Sequence, residues 1–100
     1  MKEVILSADG DSVVFSVPDV VAENLREYCM EFCDKWLHNS PDAAKYRMNE
    51  GVCFTEADFI EYLNLYVFPE EKSVLVKNLG WTNGKKKLPD QYKYLPYFNF

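Results

Sequence analysis

The stretch "EVILSADGDSVVFSV" constrains this chain more than any other. Two runs rich in β-branched residues flank Asp9-Gly10-Asp11, a strong turn signal. They read as a β-hairpin, with Gly10 supplying the positive φ that such a turn needs. Pro18 and Asp19 then open a helix: proline is tolerated in a first turn and aspartate suits the positive end of the helix dipole. Ser16 competes as the capping residue.

The first helix is expected from Asp19 to His38, because Val21, Leu25, Tyr28, Cys29, Phe32 and Trp36 recur at spacings of three and four. Asn39-Ser40-Pro41 ends it. "AAKYRM" fits either a short helical turn or a strand; Gly51 breaks that segment, and "VCF" is a plausible short strand. In "FTEADF", Thr55 and Asp58 match the capping-box pattern, with Phe54 and Phe59 at the staple positions. The following "EADFIEYLNLYVF" is apolar on most sides, so it should be the more buried helix, stopped by Pro69. "KSVLVKNLGW" reads as a further strand and "TNGKKK" as an exposed loop. Strands, then helices, then a strand argue for an α+β fold: a small antiparallel sheet of hairpin plus later strand, with two helices on one face. The length fits a single domain over residues 1–100.

The ending "YKYLPYFNF" crowds Tyr92, Tyr94, Tyr97, Phe98 and Phe100 behind Lys85, Lys86 and Lys87. Rings left in water would form an apolar patch that monomers rarely tolerate. Pro89 and Pro96 stiffen the segment and lower the entropy lost on docking. The expectation is that this aromatic segment runs back across the sheet or between the helices and docks on the core. A homodimer or partner interface is the alternative.

The net charge of −5 hides an asymmetry. Residues 1–71 hold five Lys and Arg against fifteen Asp and Glu, or −10, while residues 72–100 hold six lysines against Asp90, or +5. No apolar run resembles a leader or a membrane span, and three cysteines, Cys29, Cys33 and Cys53, fit reduced thiols better than a disulfide framework. A cytoplasmic protein is therefore expected, with no membrane association.

Catalysis finds little support. His38 is the only histidine, and it falls at a predicted helix C-terminus, where a cation suits the dipole. Cys29 and Cys33 lie on the apolar stripe as small hydrophobes, and their pairing with Cys53 and His38 matches no zinc spacing. Gly10, Gly51, Gly80 and Gly84 stand alone, so no phosphate cradle is written. The sequence therefore predicts no enzyme, no cofactor and no metal.

Charge on the first helix is the most suggestive feature. Glu23, Glu27 and Glu31 repeat every four residues with Asp34 close by, opposite the apolar stripe. Such a ridge is either a solvated face or a docking face for a basic protein, where charge raises the association rate and rejects wrong partners. The functional expectation is a small acidic interaction protein with a basic partner, concretely an immunity- or antitoxin-like inhibitor of a toxin. The alternatives are a nucleic-acid-binding accessory protein using the basic, aromatic C-terminal region, which the net acidity argues against, and a structural domain.

Overall fold

In the computed structural model, residues 1–48 and 51–100 are described. Strands β1 (Lys2–Ser7) and β2 (Asp11–Val17) form the expected hairpin, antiparallel from Lys2 opposite Val17 to Leu6 opposite Val13. Gly10 has φ +104°, a region other residues rarely adopt. A two-stranded ribbon is marginal alone, so the hairpin needs partners. β5 (Val74–Trp81) pairs antiparallel along the outer side of β2, which completes the expected sheet.

The aromatic end adds a fourth strand. β6 (Tyr97–Asn99) lies parallel to β1, with Ile5 opposite Tyr97 and Ser7 opposite Asn99, giving the order β5-β2-β1-β6. A parallel partner cannot be reached by a tight turn; the chain must cross over first. Residues 82–96 make that crossing on the sheet face opposite the helices. There Leu88 and Tyr92 pack on Ile5 and Val14, while Val4, Leu6, Val13, Phe15 and Val17 pack on the helical side. The sheet's centre is thus covered on both faces, which explains the unbroken apolar run Val4-Ile5-Leu6.

The helical layer follows expectation in position and departs from it in detail. α1 (Asp19–Glu23) ends at Asn24, whose backbone (φ −132°, ψ 39°) leaves the helical region. The Asn24 side-chain amide donates to the Val20 carbonyl at 2.9 Å, a local bond that competes with helix continuation. The chain resumes as α2 (Leu25–Met30), widens into a π-helical turn (Glu31–Trp36) and closes as α3 (Leu37–Asn39). A π turn bonds i to i+5, so the residue following Phe32 on the buried side is Leu37, and Trp36 is displaced to the half-buried rim. Ser40 then caps a 3₁₀ turn (Pro41–Tyr46), its hydroxyl accepting from the Asp42 N–H at 3.2 Å. "AAKYRM" is therefore a turn followed by strand β3 (Arg47–Met48), paired with β4 (Gly51–Val52). Arg47 pins this ribbon by donating to the carbonyls of Leu37 and Ser40.

α4 (Glu56–Tyr62) starts at the predicted box: the Asp58 carboxylate accepts the Thr55 N–H at 2.8 Å, and the Thr55 carbonyl accepts the Asp58 N–H at 3.0 Å. A second π-helical turn (Leu63–Val67) follows, closed by a 2.7 Å bond from the Phe68 N–H to the Leu63 carbonyl. Phe54 and Phe59 both pack on Phe32, at 5.4 and 5.5 Å between centroids, and both touch Phe100. The last residue so enters the aromatic centre, tethered by a 2.7 Å bond from its N–H to the Ser7 carbonyl. Tyr92 is buried, Tyr97, Phe98 and Phe100 are half-buried, and Tyr94 is the exception at 95% exposed. The aromatic segment docks on its own core, as expected. No helix among the described residues is long and apolar enough to cross a membrane.

Candidate functional site

All four ridge carboxylates, Glu23, Glu27, Glu31 and Asp34, are exposed. They do not form one helical row. Glu23 ends α1 before the Asn24 break and sits 3.6 Å from Lys2 of β1. Glu27 lies on α2, and Glu31 and Asp34 lie on the π turn. Glu31 pairs with Lys35 at 3.3 Å, whereas Glu27 and Asp34 have no cationic partner among the described residues. Exposed pairs of this kind are worth about 0–1 kcal/mol, so the ridge remains a negative surface.

On the same π turn as Glu31 and Asp34 begins an aromatic rim whose Trp36 was expected on the buried stripe. Trp36 lies 5.0 Å from Tyr62, 5.2 Å from Tyr66 and 6.2 Å from Tyr46. Tyr66 is 48% exposed and its neighbour Leu65 53% exposed. The helix expected to be buried on most sides thus buries Phe59, Ile60, Tyr62 and Leu63 and turns Leu65 and Tyr66 outward. Both π turns meet here, one carrying Trp36 and the other Tyr66. Such turns are uncommon and recur at functional sites. Burial, with the Glu31 carboxylate nearby, raises the Tyr62 phenol above its ordinary value. Lys45 and Glu61 pair at 3.8 Å along the same rim. Helical spacing puts Trp36 four residues after Phe32, on the buried stripe, and nothing local marks the π register that moves it to the rim.

The groups that enzymatic chemistry would draw on are scattered. His38 is exposed at the end of α3. Cys29 is fully buried and burial pushes its thiol far up; Cys33, half-buried, is pushed up to about 11 by burial and by Asp34, and Cys53 is exposed. Neither helix thiol is a ready nucleophile at neutral pH, because the thiolate is the reactive form. Among the described residues no three His, Cys, Asp or Glu side chains converge to hold a metal ion. Glu56, in the first turn of α4, is buried with Oε2 unpartnered; burial, reinforced by Asp9 and Asp11, raises its carboxyl above the usual value.

At the basic end, Lys85, Lys86 and Lys87 are exposed on the loop that begins with Asn83 (φ +53°) and Gly84. The Lys87 ammonium lies 5.0 Å from the Trp81 ring and that of Lys85 5.7 Å from Tyr97. Tyr92 and Tyr94 do not share a surface, since one is buried under the sheet and the other projects into solvent. The chain was compared with protein families, curated proteins and solved structures, and none of the three comparisons finds a match.

Proposed function

We propose that this chain is a small interaction protein that binds a basic protein partner through the acidic ridge, in its most concrete form an immunity- or antitoxin-like inhibitor that covers the positive groove of a toxin. Glu23, Glu27, Glu31 and Asp34 supply the field that draws the partner in, and Trp36 and Tyr66 supply the contact that holds it. Charge across an interface acts mainly on the association rate, and buried aromatic anchors act mainly on the dissociation rate. The observation that carries this reading is the placement of exposed Glu31 and Asp34 on the same π turn as half-buried Trp36, with Tyr66 of the second π turn 5.2 Å from that ring. Tryptophan and tyrosine are the side chains most enriched among interface hot spots.

Affinity capture from the cells that encode the chain, followed by kinetics on the captured protein, tests the proposal. A basic partner should associate about tenfold more slowly with the Glu23→Gln/Glu27→Gln/Glu31→Gln/Asp34→Asn variant, and salt should erase the difference. Trp36→Ala should leave the association rate in place and speed release. A partner whose association is salt-insensitive and indifferent to the four neutralisations overturns the reading.

A further inference from the structure

We propose that the outer edge of β5 is a second docking site, one that takes an extended acidic segment of a partner protein as a fifth strand of the sheet. β5 is eight residues long, stands at the end of the sheet, and has no described strand on its outer side. Its backbone therefore presents a row of N–H and C=O groups ready for ladder pairing. Its side chains are uncovered as well: Val74, Leu75 and Val76 are 54%, 61% and 44% exposed, and Trp81 is 62% exposed. Cross-strand partners share a face, so Leu75, opposite Phe15, lies on the helical side and Lys77, opposite Val14, on the other. An added strand would find apolar contacts on both faces, with pockets for alternate side chains.

Charge selects the occupant. Lys2, Lys35, Lys45 and Lys93 each pair with a carboxylate. Lys72, Lys77, Lys85, Lys86 and Lys87 pair with no described carboxylate, and all five lie on β5 or on the segments that flank it. Asp90 is the only acid after residue 71. Natural edges resist like edges by carrying a lysine and by irregular pairing, and β5 has both: Lys77, and register shifts at Ser12/Val13 and Val14/Phe15. Those devices disfavour a second copy, because two-fold pairing would set one basic stretch against another. The lysine charge, unlike the irregular pairing, discriminates between partners, and it favours a strand alternating aliphatic and acidic residues, whose carboxylates face Lys77 and the lysines at either end. A nucleic acid would satisfy the charge but not the open backbone edge or the aliphatic row.

The test uses the full chain and a capped peptide of about nine residues alternating Glu and Val, which spans about 3.3 Å per residue along the strand. Amide hydrogen exchange and NMR shifts of β5 report the site directly. The expected result is slowed exchange at outward β5 amides, with binding detectable at or below about 1 mM. Replacing Glu by Lys in the peptide, or N-methylating alternate residues to remove one hydrogen-bonding edge, should abolish it. Lys77→Glu should weaken the acidic peptide about tenfold and favour the basic one. Lys86→Glu, on the solvent-exposed loop, should weaken it less and checks the field without touching the strand. Four outcomes overturn the proposal: no response at β5 up to about 1 mM, equal binding of acidic and basic peptides, preferential protection of β5 by single-stranded RNA, or a concentration-dependent dimer that protects β5 without peptide.

Discussion

Val4-Ile5-Leu6 and Val74-Leu75-Val76 are nearly interchangeable as chemistry, yet the first triplet is 0% exposed and the second 54%, 61% and 44%. Both lie in strands that pair with β2. The difference is in the third dimension. β1 is roofed by the helices on one face and by the Leu88–Tyr92 crossing on the other, and β6 closes its open side. β5 has β2 on one side and little above or below. Apolar composition sets what a strand can bury; the path of the rest of the chain sets what it does bury. The C-terminal segment spends its apolar residues on β1 and leaves β5 open.

Removing the cover from β1 is the strongest way to break the contrast. Deleting residues 97–100 strips β1 of its parallel neighbour and empties the site Phe100 fills beside Phe32, Phe54 and Phe59. A fully buried ring is worth roughly 1.5–3 kcal/mol, so three partly buried ones at the low end of that range come to about 5 kcal/mol, the lower end of a domain's whole stability. The truncated chain should lose its cooperative thermal transition in circular dichroism; a transition within a few degrees of the parent's would show that β1 does not depend on the tail. Next in size is Ile5→Ala, which opens a cavity in the face covered by Leu88 and Tyr92 and should cost about 3 kcal/mol in denaturant unfolding.

How much of this could be read from the chain differs by region, for a physical reason. The hairpin, the Thr55–Asp58 cap and the existence of β5 are written in neighbouring residues: Gly10 at the turn, an acid three positions after threonine, and the apolar run Val74-Leu75-Val76; Gly80, a turn signal in the sequence, is paired within the strand. β6 is not, because "YFNF" carries no alternation and its pairing with β1 is settled by a crossing from far along the sequence. The π turns left one trace, Phe32 and Leu37 buried five apart, which α-helical spacing reads as noise. That single extra residue placed Trp36 on the rim, so the carboxylates of the candidate site were legible and its aromatic half was not. Asn24 was a legible warning in the first helix, since its side chain competes for backbone bonds.

The covered side of the molecule contains one flaw, and acid should reveal it. Glu56 is the one buried carboxylate among the described residues, with Oε2 unpartnered and its titration raised by burial and by Asp9 and Asp11. A raised folded-state value means the folded protein prefers the protonated acid. The stability this contributes is complete below the ordinary value of 4.5 and is lost as pH rises through the folded value. At pH 7 the buried charge is therefore a burden, and Glu56→Gln should raise stability by on the order of 1 kcal/mol. The gain should shrink as pH falls through the raised folded value and be gone below the ordinary one, measured by urea unfolding at each pH. A gain that is the same in acid as at neutrality would place the effect in packing instead of charge.

The smallest effect belongs to the exposed triplet. Leu75→Ala removes as much hydrocarbon as a core substitution of the same kind, but from a side chain already 61% in water. Surface changes of this sort usually lie within about 0.5 kcal/mol, several times less than Ile5→Ala. Equality of the two losses would mean that β5 is covered in solution by another chain, and dilution would separate the cases. A cost for Leu75→Ala that fades as the protein is diluted belongs to an interface between copies, since oligomer stability depends on protomer concentration. A cost near zero at every concentration leaves β5 as an open edge, available to a strand from another protein.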